Sequence, residues 1–411
     1  MGAQQMGIDV TFLTGIYYKP DRFPYLLARW APANKRKRFL ELLELRRVQG
    51  LSPDNVVTIL GPVLEGAYRA GVLSLHRWWK IWDWLAARWI QFHCREASSD
   101  RPTIIHCFIE CSVRTLRAAR SKGMVRLLEV TLPPLLASKA QMAKWGVSES
   151  DFPTDVATLK GELAEADFVL VQSEFGTRTI QALGVPASRI LRVNLGLDTD
   201  KFCPRIGDRR PGPLRVMFVG QLSRRKGVHH LIQAWRELQL DDAELLLAGN
   251  TKPAPPELLT AIQETPHCKA LGHLRGQDLL SLYQQADILV HPSFAEGGCA
   301  AIYEGLGCGV PCIVSTHSTS VVRSGVDGIV FPTGDVAALK LAILDLSADA
   351  TRRQRMGEAA RQHAVDSLSL AAFSREIAAV YRKCQQDPSQ LGSGQCVSNL
   401  CSWSNPPTKE F

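Results

Sequence analysis

DILVHPSFAEGGCAAIYEGLGCGVPCIV, residues 287–314, decides how the chain is read. It opens on an apolar run ending at Ser293, and a short unbroken apolar run suits a strand buried on both faces. The loop SFAEGG follows, then small and apolar residues from about Cys299 to Cys308 that suit a helix. Gly309 fits the left-handed residue that closes a helix, and Pro311 forbids its continuation. PCIVS, 311–315, then starts another strand. Strand, loop, helix and strand in this order make one crossover unit of a parallel sheet.

The stretch also places Glu296 in the loop and Glu304 more than a turn into the helix. The first turn of a helix offers free N–H groups and a positive dipole end. Gly297, Gly298 and Ala300 leave room for a phosphate to approach that backbone. An ionised carboxylate only accepts hydrogen bonds, so it suits sugar hydroxyls at Glu296 and a ribose diol at Glu304. The spacing therefore fits a sugar nucleotide. It also fits a surface loop followed by a helix with one buried glutamate.

The same rhythm runs outward in both directions. VTFLTG (10–15), VVTIL (56–60), TIIHCF (103–108), VRLLEV (125–130) and FVLVQS (168–173) read as strands of a first half. LRVMFVG (214–220), ELLLAG (244–249), CKALG (268–272), DILVHPS, PCIVS and GIVF (328–331) read as strands of a second. Helical patterns such as GVHHLIQAWREL and GQDLLSLYQQA lie between them. Alternating strands and helices imply parallel sheets covered on both faces. TDKFCPRIGDRRPGP, 199–213, is rich in Pro, Gly and charge and marks a domain boundary. The chain of 411 residues is long for one core, which also favours two domains. LAAFSREIAAVYRKC is an amphipathic helix near the end, and the tail after Gln386 is expected to be disordered. The opening, MGIDVTFLTG, reads as the end of a helix and a second strand, so a truncated N-terminus is the expectation.

Composition narrows the class. Charged residues make up 21% and no apolar run approaches the ~18 residues that span a bilayer. MGAQQMGIDV carries no secretory signal pattern, and Met6 breaks the myristoylation pattern. The eleven cysteines include no CxxC pair, so buried thiols in a reducing compartment are expected and a zinc site is not. The net charge of +8 and pI of about 9.0 point to an anionic partner or to solvated helix faces. Part of the excess lies at Lys35–Arg38 and Arg46–Arg47. HRWWKIWDWLAARW, 76–89, holds five of nine tryptophans, with Trp78, Trp82, Leu85 and Trp89 on one helical face. That face suits either core packing or an interfacial helix against lipid. Asp198–Thr199–Asp200 mimics a metal-binding DxD, but it sits in the linker-like segment, and no metal site is expected.

A second motif, VMFVGQLSRRKGVHHLIQAW (216–235), ends a strand at Gly220 and starts a helix near Gly227. Between them, Arg225 and Lys226 stand at the carboxyl end of a strand, where doubly wound sheets bind ligands. Cations there can neutralise a departing diphosphate without a metal.

FVGQLSRRKGV, LLLAG, LGHL, ADILVHPSFAEGG, YEGLGCGVPCIV and GVDGIVFPTGD follow one another in this chain. In that order they closely resemble the donor-binding domain of retaining GT-B glycosyltransferases of family 4. The resemblance covers about 160–390 well and 100–160 more loosely. It implies two doubly wound Rossmann-like α/β domains facing across a cleft. Residues 1–204 would form the acceptor-side domain and 205–366 the donor-binding domain. A helix over about 367–386 would pack back on the first, and 387–411 would be a disordered tail. It implies that Glu296 meets the donor sugar, Glu304 the ribose, and Arg225 and Lys226 the diphosphate. Gly220, Gly297, Gly298, Cys299 and Ala300 would line the donor, and backbone at Gly272–Leu274 would meet the base. The implied activity is hexose transfer, with retention, from a nucleoside diphosphate sugar to a glycan or lipid-linked acceptor. Polysaccharide or glycolipid synthesis would be its setting, with no metal or other cofactor and no nucleic-acid partner. A cytoplasmic protein touching the inner face of the membrane follows from such acceptors.

This chain departs from the family pattern in places. Gln221 stands where arginine is frequent, and Cys299 ends the usual EGFG. EVTLPP follows the strand after which many members carry histidine; His106, on the preceding strand, is an acceptor-side and catalytic candidate or a core-edge histidine. A non-catalytic nucleotide-sugar binder or partner subunit is the alternative reading, and a phosphorylase or epimerase on the same fold is another.

Overall fold

The computed structural model describes residues 10–14, 53–58, 75–97, 103–152, 154–207, 212–318 and 321–386. The basic clusters at 35–38 and 46–47, and the tail 387–411, lie outside them. The described residues fall into two compact units. The first holds those up to Leu128, Ala164–Asp167 and the last helix from Ile377; the second holds Glu129–Leu163 and Phe168–Glu376.

In the first unit β1 (Phe12–Thr14) pairs in parallel with β2 (Val56–Thr58). Helix α1 (Leu75–His93) carries the tryptophans, and α2 (Val113–Ser121) packs beside it. Asp83 ties them together: its carboxylate accepts from the backbone N–H of Arg114 at 2.9 Å and of Thr115 at 2.8 Å, capping α2 from outside. The buried stripe of α1 is Ala86, Ala87 and Ile90, while Trp78, Trp82, Leu85 and Trp89 are half-buried beside it. Small residues occupy the centre because they let the helices approach closely. Trp84 and Phe92 are exposed, and the Arg88 guanidinium lies 4.6 Å from the Phe92 ring centre.

A four-stranded sheet has the order β3-β4-β5-β6, formed by Ile104–Phe108, Val125–Val130, Phe168–Val171 and Ile190–Arg192. β6 is the strand that the sequence pattern misses, because ILR is too short to show a pattern. Between β4 and β6 lie α3 (Lys139–Lys144), α4 (Val156–Glu165) and α5 (Glu174–Ala182). Ser173 caps α5, its hydroxyl accepting from the Gly176 N–H at 3.0 Å.

The second unit is dominated by a six-stranded sheet of order β12-β11-β10-β7-β8-β9. Its strands are β7 (Leu214–Val219), β8 (Ala243–Ala248), β9 (Cys268–Gly272), β10 (Ile288–His291), β11 (Cys312–Ser315) and β12 (Gly328–Phe331). All neighbours run parallel. Helices α6 (Val228–Leu238), α7 (Pro256–Gln263) and α10 (Val336–Ala348) cover one face; α8 (Gly276–Gln285), α9 (Ala300–Gly307) and α11 (Ala350–Ser367) cover the other. Strand alternation sends Val216 and Phe218 into the first core and Met217 into the second. Chain order runs outward from β7 through β8 and β9, then returns and runs the other way from β10. The topological switch point therefore lies between β7 and β10, where ligand crevices form in such sheets. The last helix, α12 (Leu370–Gln386), follows α11.

Candidate active site

The loops leaving β7 and β10 interlock at the switch point. Gly227 caps α6 with φ +71, and a Cβ there would strike the Pro292 carbonyl. Only glycine takes this left-handed turn and lets the two loops touch. The Phe294 N–H donates to the Arg225 carbonyl at 2.9 Å, and the Ser293 hydroxyl oxygen lies 3.1 Å from the same carbonyl. This lock carries Arg225 and Lys226 onto Glu296.

Glu296 is buried, and three donors converge on its Oε1. They are Lys226 Nζ, Arg225 Nη1 at 3.1 Å and Ser293 Oγ at 2.7 Å. Oε2 takes part in none of these bonds. Burial pushes the carboxyl up, but Lys226 and Arg225 outweigh it and hold it below the usual carboxylate range. Two cations against one carboxylate leave a net charge of +1 on the cluster. His291 lies beneath it, stacked on Phe218 with centroids 5.3 Å apart, and burial together with Lys226 pushes its pKa down to about 3. Its Nε2 lies 3.1 Å from Cys299 Sγ, and burial pushes that thiol up to about 12, so Cys299 is an inert packing group.

Helix α9 begins at Ala300 with Cys299 as its cap, and Gly309 closes it with φ +72. Arg361 Nη1 fastens its far end, donating to the carbonyls of Gly307, Thr199 and Phe202 at 3.0 Å each. Glu304 accepts from the Tyr283 hydroxyl at 2.8 Å, and burial raises its pKa. Tyr283 and Ser293 hold the two glutamates, and the sequence motifs single out neither. Ser293 stood inside the quoted stretch, three residues before its partner; Tyr283 carried no signal beyond its place on a helical face.

The glycines after Glu296 serve closer contacts than phosphate access alone. A Cβ on Gly297 would collide with the Thr131 carbonyl, and one on Gly298 would lie 2.8 Å from Leu195 Cδ1. The segment after β4 is thus packed directly on this loop, and Trp145 extends the contact, its ring 5.4 Å from that of Phe294.

A cavity of about 550 Å³ opens over the ends of β7 and β8; Arg225, Lys226, Glu296 and Glu304 are not among its lining residues. Gly220, Gln221, Gly249, Asn250, His273 and Leu274 help line it. A shift of register at Leu247/Ala248 sets Ala248 opposite Gly272 and carries the chain to Leu274 at this wall. Its size is that of small-molecule and cofactor pockets. His106 lies in the first unit, with Nδ1 2.9 Å from the Tyr381 hydroxyl. Among the described residues no cluster of three His, Cys, Asp or Glu could hold a metal, and no helix is long and apolar enough to cross a membrane. Nine described cysteines are free thiols, five of them buried.

Two parallel sheets of this build are the Rossmann-like pair of the GT-B fold. Solved structures agree: Anabaena HepE in complex with UDP superposes with a TM-score of 0.61 at 18% identity, over 92% of this chain and 100% of that one. A sucrose-phosphate synthase from Thermosynechococcus elongatus gives 0.59 at 20% identity, over 82% of both chains. Residues 203–363 match the family model described as Glycosyl transferases group 1. The amylovoran biosynthesis glycosyltransferase AmsK of Erwinia amylovora is 29% identical over 197 residues, 45% of this chain and 48% of that protein. The alpha-maltose-1-phosphate synthase of Mycobacterium tuberculosis is 30% identical over 217 residues, 46% of this chain and 55% of that protein. The chain spans about half the length of the curated relatives it matches.

Proposed function

We propose that the protein is a glycosyltransferase that moves a hexose from a nucleoside diphosphate sugar to a glycan or lipid-linked acceptor. The observation that carries this reading is the buried cluster of Arg225, Lys226 and Glu296 at the switch point, where the 550 Å³ cavity also opens over the end of β7. The base and ribose occupy the cavity, with Glu304 on the ribose and backbone from Gly272 to Leu274 on the base. The diphosphate lies on Arg225, Lys226, Gly220 and the start of α9, where Gly297, Gly298, Cys299 and Ala300 present backbone. The sugar meets Glu296 through Oε2, the oxygen that its ion pairs do not use.

The cluster carries +1 before the donor arrives, which favours an anion in a site shielded from water. As the bond from the sugar to the diphosphate breaks, negative charge grows on the leaving oxygen, and Lys226 and Arg225 already face it. No reaction step here calls on a metal. Retention of configuration and a setting in polysaccharide synthesis follow the family resemblance and the relatives' names. A donor-binding domain over 205–366 and an acceptor-side domain over 1–204, with His106 on the acceptor side, complete the proposal. Exposed Trp84, Arg88 and Phe92 on α1 support a peripheral contact with the inner face of a membrane.

A thermal-shift panel of UDP, GDP, ADP and CMP, each with its sugar conjugates, tests the donor reading. One nucleotide at 100 times its dissociation constant is expected to stabilise the protein by about 2.7 kcal/mol. No shift with any of them contradicts the reading. A shift without turnover, with glycan acceptors supplied, identifies a binding subunit in place of an enzyme.

A further inference from the structure

Three polar side chains line the 550 Å³ cavity on its β8 and β9 side: Asn250, His273 and Arg275. Asn250 follows β8, and His273 and Arg275 stand between β9 and α8. The sheet order β7-β8-β9 sets them away from Gly220 and Gln221, which line the same cavity at the end of β7. Leu274 and Leu279 add apolar surface to the wall.

The hydrogen bonds of these three side chains fix what each can offer. Arg275 Nε donates to His273 Nε2 at 2.7 Å. A guanidinium keeps its hydrogens, so Nε2 must be the bare ring nitrogen, and the imidazole hydrogen sits on Nδ1. His273 is thereby a hydrogen-bond donor through the nitrogen that Arg275 does not use. Arg275 itself can only donate, and its bond to His273 leaves Nη1 and Nη2 to do so. Asn250 Oδ1 accepts from the Lys252 N–H at 3.0 Å. A backbone N–H can only donate, so this amide cannot be turned around, and its free end is the NH₂. A ligand on this side of the cavity therefore meets hydrogen-bond donors from three side chains.

Nucleobases differ in how they suit such a wall. Uracil shows O4 and guanine O6, both acceptors; cytosine and adenine carry the amines N4 and N6 at the same places. An amine set against these side chains brings hydrogen against hydrogen. We propose that Arg275 and His273 select a nucleotide with a keto base, donating to the carbonyl oxygen O4 of a uracil or O6 of a guanine. This rests on the reading given above, which sets the base of the sugar donor in this cavity. Backbone at Gly272–Leu274 offers both N–H and C=O and suits any base. The two side chains beside it tell a carbonyl from an amine.

Isothermal titration of the full chain with UDP, CDP, GDP and ADP tests this, on wild type, Arg275→Ala and His273→Ala. Both side chains are exposed, so neither substitution opens the core. UDP against CDP, and GDP against ADP, each compare carbonyl with amine on one kind of ring. The wild type is expected to bind UDP or GDP about tenfold to 100-fold more tightly than the matching amine, the worth of a hydrogen bond from a charged group. The better of UDP and GDP identifies the ring. Arg275→Ala is expected to cut the preference about tenfold, and His273→Ala to narrow it in the same direction. A wild type that prefers CDP or ADP overturns the proposal. So does a preference kept in full by either variant, including the case in which all four nucleotides weaken alike, which is the mark of general charge attraction. A wild type that binds none of the four contradicts the sugar-donor reading itself, a result distinct from these because there is then no preference to compare.

Discussion

Lys226→Ala is expected to lower kcat/KM for sugar transfer by about 100- to 1,000-fold, the usual cost of deleting one preorganised donor to a developing anion. Lys226 and Arg225 reach Glu296 from the same loop, and both are largely shielded from solvent. Charge developing on a leaving diphosphate is felt far more strongly there than in water. Arg225 alone must then offset both Glu296 and the leaving group. Arg224 supplies the control. It is the adjacent cation, but it points away and pairs with the exposed Glu257 at 2.7 Å and with the Gly146 carbonyl at 2.9 Å. Arg224→Ala is expected to change the rate little. Initial rates for the three proteins, at varied donor and saturating acceptor, decide the matter. Equal losses in both variants would point to nonspecific charge steering.

Glu296→Ala is expected to lower the stability of the unliganded protein by about 3–5 kcal/mol, the range for deleting one member of a buried ion pair. The substitution leaves Arg225 and Lys226 facing each other with no anion, and leaves the Ser293 hydroxyl only the Arg225 carbonyl as acceptor. Glu296→Gln keeps the size and the bond from Ser293 and is expected to cost less. Lys226→Ala also costs less, because Arg225 continues to neutralise the carboxylate. Urea unfolding with unchanged slope and a lowered midpoint measures the difference. If all three variants unfold alike, the cluster adds nothing to the fold.

The parts of this molecule legible in the sequence are those governed by local pattern. Ile288–His291 and Cys312–Ser315 are buried at every position, so their apolar runs mark them as inner strands of a parallel sheet. Gly309 and Pro311 bracket the end of α9 by backbone chemistry alone. Arg225, Lys226 and Glu296 were legible as neighbours because each follows the carboxyl end of a strand, and in a parallel sheet those ends come together. The structure places them in one ion cluster.

What stayed hidden depends on contacts between distant residues. Tyr283 and Glu304 meet across two helices, and Glu129 and Gln172 meet across 43 positions. No periodicity links such pairs. The close approach of Thr131 to Gly297 is a contact of backbone on backbone, and side-chain pattern cannot express it. On α1 the tryptophans dominate the sequence pattern, yet Ala86 and Ala87 between them take the centre of the interface. Close packing of helices rewards small residues, and hydrophobicity alone does not rank them first.

On the proposed function, Arg225 and Lys226 bind the diphosphate of a nucleotide sugar. Isothermal titration of a nucleoside and its diphosphate, on wild type and Lys226→Ala, tests it most directly. The wild type is expected to bind the diphosphate about 100-fold more tightly than the nucleoside, as charge-assisted hydrogen bonds allow. In the variant this gap should narrow by about tenfold or more while nucleoside affinity holds. A gap that survives the substitution intact would mean that the diphosphate lies elsewhere than on Arg225 and Lys226.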